Sequence, residues 1–404
     1  MAKTIAVIGA LDTKGEDFAF VKEAIETRGH EAYVINTGVM GTAGFQPDVS
    51  AETVADAGGG NLLAMREQAD RGAAITIMTN GAAKIVLDLY QEGRIDGVLA
   101  MGGSAGTVIG TAAMRALPVG VPKVMVSTLA GADTSAYVGT RDVVMIPSVV
   151  DVAGVNRISA TVYANAVGAV VGMVETSVPE IEEKPLIAAS MFGNTTDLVD
   201  QCRKIMTAHD YEVLVFHATG AGGRTMESLI EDGYISGVLD VTTTEWADEL
   251  TGGVLSAGSE RLDAAAEAGI PQVIAPGCLD MANFWARETV PDKYDDRRFY
   301  EWNPNVTLMR TTPDENRELG RILAEKANAA QGPVAFFLPL QGLSQLDAPG
   351  QPFWWPEADQ ALFAAIKDNV RADIPVEELD VNINDEAFAQ AVTDKLLEML
   401  AAKD

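Results

Sequence analysis

Ile95-Asp96-Gly97-Val98-Leu99-Ala100-Met101-Gly102-Gly103-Ser104-Ala105-Gly106-Thr107 runs from an apolar stretch through a glycine-rich turn into a second apolar segment. Gly97 to Met101 shows no polar alternation, the pattern of a strand covered on both faces and so of a parallel sheet. Beyond the turn, Val108 to Leu117 reads as a helix and Lys123-Val124-Met125-Val126-Ser127 as the next strand. Upstream, Ile5-Ala6-Val7-Ile8-Gly9 is another buried-strand run. It passes through the loop Ala10 to Gly15 into a helix with Phe18, Val21 and Ile25 on one face. Thr13 with Glu16 predicts a capping box at that helix start, Gly29 its end, and Glu31 to Asn36 a strand directly after. Strand, loop and helix in alternation predict an α/β fold with a mainly parallel sheet.

The pattern then recurs. The acidic, proline-flanked stretch Pro179-Glu180-Ile181-Glu182-Glu183-Lys184-Pro185 reads as a linker. After it, Leu186 to Thr195 aligns with Thr4 to Thr13 at an offset of 182, and the same offset pairs Val34-Ile35-Asn36-Thr37-Gly38 with Phe216-His217-Ala218-Thr219-Gly220. Ile95 to Leu99 pairs with Ile235 to Leu239 at an offset of 140, and Gly120 to Val124 with Gly269 to Val273 at 149. Four matches in one chain order predict two homologous, Rossmann-like doubly wound domains, 1–181 and 182–404. Strands at Val334 to Leu338 and Val376 to Asn382, with helices at Glu357 to Val370 and Asp385 to Leu400, are expected to extend the second sheet. Neither piece could bury a core alone.

The 404 residues carry 58 acidic and 29 basic side chains, a formal charge of −29. A surface so negative repels phosphate backbones and anionic lipid, which argues against nucleic acid or a membrane as partner and makes any clustered cation conspicuous. The two cysteines, Cys202 and Cys278, lack CxxC spacing and fit a reducing cytosol. Thr4 to Leu11 is too short for a signal peptide, and Val162 to Val178, interrupted by Asn165 and Glu175, falls short of a membrane span. The expected place is the cytoplasm. His30, His209 and His217 stand at no ligand spacing, so no structural zinc is expected.

In open α/β sheets ligands bind beyond the carboxyl ends of the strands, where helix N-termini present free N–H groups. In the Met101 to Thr107 loop the glycines allow an anion-binding nest, and Ser104 and Thr107 add hydroxyls for a phosphate or carboxylate. The loop lacks both the Walker lysine and the GxGxxG spacing, and its glycines also suit tight strand-to-helix packing. In Asp12-Thr13-Lys14, Lys14 would neutralise phosphate and Asp12 hold a metal ion or a ribose hydroxyl; the alternative is a helix cap and a solvated cation. In the second half, Ala218 to Thr225 is the matching glycine-rich loop. Arg224 there is either a fork for an anion or a salt-bridge partner, and His217 either a base or a packed core residue. Glu245, closing Asp240-Val241-Thr242-Thr243-Thr244, is either a desolvated general base or a first-turn acid on the helix dipole. Ser127-Thr128-Leu129-Ala130-Gly131 and Pro276-Gly277-Cys278-Leu279-Asp280 end matching strands. Thr312 before Pro313 reads as an N-cap, and Phe353-Trp354-Trp355 as an aromatic plug.

Ala10-Leu11-Asp12-Thr13-Lys14, the Met101 to Thr107 loop, Pro147-Ser148-Val149-Val150-Asp151, Val215 to Gly220, Gly222-Gly223-Arg224, Gly237 to Asp240 with Thr242 to Glu245, Leu308 to Thr312 and Leu346 to Gly350 occur in a characteristic order. Over essentially the whole chain this set resembles the N-terminal ATP-binding domain of the plant tomato mosaic virus resistance protein and its bacterial relatives. The resemblance implies two Rossmann-like subdomains, ATP bound in the first, and a homodimer. Carried over by motif, ATP contacts fall on Asp12, Thr13 and Lys14 and on the loop of Gly102, Gly103, Ser104, Gly106 and Thr107. Gly9 and Thr128, at or beside the ends of neighbouring strands, complete the candidate cofactor set. A Mg²⁺ held mainly by phosphates and one carboxylate leaves little trace in a sequence and stays open. The plant form is fused to a C-terminal barrel resembling phosphoenolpyruvate-using enzymes, so a separate barrel enzyme is the expected partner for any reaction that needs both.

The function expected from these readings is ATP-dependent action on a small anionic metabolite, a carboxylate or phosphate. Nucleotide would rest on the first glycine nest, and metabolite near Arg224 and Glu245 in the cleft between two domains. The alternatives are a non-catalytic sensor or interaction module tuned by ATP, and an ATP-independent hydrolase or lyase using His217, Arg224 and Glu245.

Overall fold

Residues 2–68, 70–179 and 181–402 are described by the computed structural model; Glu180 of the linker lies outside them. The chain divides into two compact units, Met1–Glu180 and Ile181–Asp404.

In the first unit, β1 (Thr4–Gly9), β2 (Glu31–Asn36), β3 (Gly97–Gly102), β4 (Lys123–Ser127) and β5 (Val144–Pro147) form one parallel sheet in the order β2-β1-β3-β4-β5. Between them run α1 (Leu11–Thr27), then α2 (Ala51–Ala57), α3 (Leu62–Gln68) and α4 (Arg71–Gln91), then α5 (Ser104–Arg115) and the short α6 (Ser135–Val138), with α7 (Arg157–Glu175) last. Phe18, Val21 and Ile25 of α1 pack with Tyr163, Val167 and Val170 of α7 in one core; Val54, Met78, Val86, Ile109 and Ala113 from α2, α4 and α5 lie in another. Full burial of such a side chain stabilises by about 1.5–3 kcal/mol, so both layers are held by apolar area. Because the chain steps from β1 out to β2 and then back past β1 to β3, the strand order reverses between β1 and β3, where such sheets bind ligands.

Three local expectations change. The chain is already helical at Thr13, so the Thr13–Glu16 capping box does not form; the N-cap of α1 is Ala10 and no side chain caps it. Lys14 instead breaks the helical path with φ −133° and ψ 26°. The helix expected from Val108 begins at Ser104, straight out of the strand, which shortens the glycine turn. Finally, α7 is by length and composition apolar enough to cross a membrane, more so than the interrupted Val162 to Val178 run suggests. Its apolar face, Tyr163, Ala166, Val167, Val170, Val171 and Val174, is buried in the unit's own core.

In the second unit, β6 (Leu186–Met191), β7 (Glu212–His217), β8 (Ile235–Thr242), β9 (Gln272–Gly277), β13 (Val334–Pro339) and β14 (Val376–Leu379) form a parallel sheet in the order β14-β13-β9-β8-β6-β7. Read from β7, this repeats the strand order of the first unit. The late strands extend this sheet, as their patterning predicts, so the α/β doubly wound fold is the one found. Its helices are α8 (Thr196–Ala208), α9 (Ala221–Glu231), α10 (Glu245–Thr251), α11 (Asp263–Ala268), α12 (Pro313–Asn328), α13 (Pro356–Asn369) and α14 (Glu386–Ala401). An addition the patterning does not reveal is a small antiparallel sheet of β10 (Met281–Phe284), β12 (Val306–Arg310) and β11 (Phe299–Asn303). Thr312 caps α12 in a box with Glu315, and Phe353 is a buried plug against Cys278, Met281, Leu308 and Leu346.

Candidate functional site

At the β1–β3 reversal the first unit opens into a crevice of about 710 Å³, within the ordinary range for a small-molecule site. One wall is the first turn of α1, just after β1, with Asp12, Thr13 and Lys14; another is the β3–α5 turn, with Gly102, Gly103, Ser104 and Gly106. The N-cap of α5 is Gly103, and no side chain caps it. The first amide hydrogens of α5 therefore lack an intrahelical partner, and the positive end of the helix faces the crevice. The apolar lining of the crevice comes from Met40, Met65, Ala74, Ile75 and Met78. Lys14, Arg66 and Arg71 also line it, a local cluster of cations on a chain of net charge −29.

Asp12 is already engaged. Its Oδ2 accepts from the Met40 and Gly41 amides at 2.7 and 3.0 Å, and its Oδ1 is buried without a partner. A Cβ on Gly38 would lie 2.4 Å from that Oδ1, so only glycine admits the carboxylate here. Asp12 thus fills the nest at the end of β2 and holds the 37–41 loop over the crevice. Lys14 Nζ donates to the Val152 carbonyl, tying the start of α1 to the segment after β5. Arg66 donates to the Val39 and Gly41 carbonyls at 2.7 and 2.9 Å, bracing the same loop from α3.

Three of the candidate cofactor residues lie elsewhere. Gly9 is packed against Phe18, whose ring would lie 1.7 Å from a Cβ there, so its smallness serves the core. The Thr107 hydroxyl is fully buried, donating to the Gly103 carbonyl at 2.8 Å and 2.7 Å from Ser127 Oγ. It braces β3–α5 against β4 and has no path to a phosphate. Thr128 lines an adjoining groove rather than the crevice.

The second unit repeats the nest with another plug. Glu245, 1% exposed, accepts from the Gly220 and Gly223 amides at 2.7 and 3.1 Å through Oε1, and from Arg261 Nε at 2.8 Å through Oε2. A Cβ on Gly223 would lie 2.2 Å from that carboxylate. The anion cradle read from Ala218 to Thr225 is therefore filled by the protein's own Glu245, which leaves neither oxygen directed at a substrate. Arg224 is exposed and donates to the Ser256 carbonyl at 2.9 Å. His217 is exposed at the end of edge strand β7, its ring 5.5 Å from that of Phe192, not packed in a core. The three groups named for a hydrolase thus face different partners. The threonines before Glu245 are satisfied internally: Thr242 by Thr195 at 2.8 Å, Thr243 by the Ala275 carbonyl and Thr244 by that of Met281.

Residues 3–179 match the N-terminal domain, and residues 184–400 the C-terminal domain, of the uncharacterised protein family UPF0261. The chain belongs to that family. A UPF0261 protein of Clostridium tetani is 51% identical over 402 residues, 99% of this chain and 100% of its own length. UPF0261 protein RA0729 of Rhizobium meliloti is 45% identical over 391 residues, covering 96% and 97% of the two chains. The ToMV resistance protein Tm-1(GCR237) of Solanum lycopersicum is 42% identical over 339 residues, 81% of this chain and 45% of that one. The motif resemblance is thus a family relationship across UPF0261.

Several crevice residues of this UPF0261 chain carry no motif. Met65, Arg66, Arg71, Ile75 and Met78 come from the α3–α4 excursion between β2 and β3. The length of Thr37 to Asp96 is their one sequence signal, since a single crossover helix needs far less chain. The carboxylates at the crevice are Asp12, Asp70 and Asp151, and Asp70 is committed to capping α4 through the Gly72 and Ala73 amides. No group of three or more His, Cys, Asp or Glu placed to hold a metal exists among the described residues.

Proposed function

We propose that the first unit of this UPF0261 protein binds ATP in the crevice between β1 and β3. The observation that carries the reading is the uncapped start of α5, which turns unpaired amides towards a crevice of about 710 Å³. A phosphate chain would rest on those amides beside Lys14, because a helix N-terminus and a cation both favour negative charge. The adenosine would lie towards Met65, Ala74, Ile75 and Met78, where apolar surface is available. Arg66 and Arg71 line the same crevice. Mg²⁺ would enter with the phosphates, since the surrounding carboxylates form no cluster of their own.

The second half of the expected function loses its anchor. With Glu245 bound to Arg261 and two amides, the loop around Arg224 offers no vacant cradle for an anionic metabolite. The functional reading therefore rests on the first unit.

Isothermal titration of the full chain with ATP, ADP and AMP, with and without Mg²⁺, tests it. ATP and ADP bind, AMP binds more weakly because it lacks the outer phosphates, and added salt weakens all three. Absence of heat and of thermal shift with every nucleotide would overturn the proposal.

A further inference from the structure

Beyond the ends of β4 and β5 lies a second concavity of about 510 Å³, lined by Ser127, Thr128, Ser148, Val149 and Asp151 among others. Asp151, whose Oδ1 accepts from the Val152 amide at 2.8 Å, also lines the crevice, so the two spaces adjoin at this residue. Thr128 stands at the same junction: its amide donates to the Gly102 carbonyl at 3.3 Å, and its hydroxyl lies 3.8 Å from where a Cβ of Gly103 would be. This groove therefore abuts the end of the crevice where α5 begins.

Its lining chemistry is specific. Ser127 is already satisfied, accepting from the Leu129 amide at 2.9 Å and lying 2.7 Å from Thr107 Oγ1. Ser148 lines the groove and is only 2% exposed, so the little surface it keeps is presented to that space. Val149 beside it adopts φ +66° and is 74% exposed. A β-branched residue pays strain in that conformation, and such outliers gather where a site must be shaped. The turn is held by Ser148 N donating to Ser127 O at 3.0 Å and Val150 N to Ser148 O at 2.7 Å. No lysine or arginine is among the described residues lining this groove.

We infer that this groove is the subsite for a second ligand, a small uncharged polyhydroxy compound. Hydroxyls of the ligand would pair with Ser148 and Thr128, each of which donates and accepts, and one would donate to Asp151. An anionic ligand would meet Asp151 in the groove, while Lys14, tied at Val152, lines the crevice rather than the groove. That this compound is a co-substrate, lying next to the phosphate end of a nucleotide, rests on the ATP reading above; the groove and its chemistry do not.

Saturation-transfer NMR on the full chain tests the inference, with glycerol, erythritol and ribitol as probes against lactate, glycerate and ethanolamine. The polyols give signals that the charged probes do not. Ser148→Ala, which removes a hydroxyl from the groove, weakens the best polyol about 3- to 10-fold. Ser148→Phe, which fills the groove, abolishes the signal while ATP affinity by calorimetry stays within about twofold, as for separate sites. If ATP binds and no polyol does, or charged probes bind instead, the inference is wrong and the nucleotide reading stands. Polyol signals that survive both substitutions also overturn it. Polyol binding lost in Ser148→Phe without any ATP binding keeps the groove and removes the nucleotide.

Discussion

Replacing Asp248 with Asn should raise the stability of the second unit, and by an amount that grows with pH. Asp248 is fully buried in α10; Oδ1 accepts from the Asn283 amide at 2.9 Å and from that of Leu255 at 3.3 Å, and Oδ2 from Asn283 Nδ2 at 2.7 Å. Burial pushes its carboxyl up to about 7, against the pull of those hydrogen bonds. In the unfolded chain the group titrates near 3.9. Between those values the unfolded form is ionised while the folded form keeps its proton, so this group's contribution to stability falls as pH rises. The slope is about 1.4 kcal/mol per pH unit and the accumulated cost about 4 kcal/mol, flat above the folded value. The substitution removes the titration. Asn283 Oδ1 is buried without a partner, so turning that amide over supplies an acceptor for the new amide. Urea unfolding followed by tryptophan fluorescence is the assay, because Trp246, Trp285, Trp302, Trp354 and Trp355 all lie in the second unit. The stability of Asp248→Asn minus that of the unaltered chain should be near zero at pH 4 and reach about 4 kcal/mol by pH 8. Taking the difference cancels the other buried acids, Asp280 raised to about 7 and Asp359 to about 8. Parallel stability curves for the two proteins would refute the reasoning.

Three further outcomes follow from the geometry. Ser104→Glu puts an acid in the first turn of α5, so the first unit should gain about 0.3–1 kcal/mol in thermal unfolding. The same change should lower ATP affinity in calorimetry about 100-fold, since one like charge at roughly 5 Å costs about 3 kcal/mol at an effective dielectric of 20. Gly38→Ala drives a methyl into Asp12 Oδ1; it should destabilise by about 1–3 kcal/mol and weaken ATP binding as the 37–41 loop loses its clamp. Arg261→Met leaves Glu227, Asp240 and Glu245 without their shared cation. It should cost about 3–5 kcal/mol at pH 8, and less at pH 5, where the stranded carboxylates take up protons; fluorescence-detected melting at the two pH values checks it.

The fold was legible because its signals are local. Apolar runs such as Ile5 to Gly9 and Gly97 to Met101, each followed by a glycine turn, declare parallel strands, and the repeated strings declare a second unit of like order. The antiparallel strands around Arg310 were not legible, since Phe299 to Asn303 mixes charged and aromatic residues without period. At the site, backbone and charge single out the β3–α5 glycines and Lys14 in the sequence, and the structure brings them to one crevice. The partners of Glu245 and Asp12 were not legible, because a carboxylate's partners can be amides far away in sequence. The Glu245 contacts with Gly220 and Gly223 span more than twenty positions, and no periodicity encodes them. Arg261 went unnoticed for the same reason, although it is the fully buried cation that joins three acids.

The carboxylate of Glu245 behaves as a permanent guest. A loop that carries its own occupant folds already saturated and gains nothing from the abundance of metabolites around it. Small phosphates in a cell would therefore act at the start of α5, which no side chain caps, and leave the turn around Glu245 unmoved. That turn is a constant of the architecture.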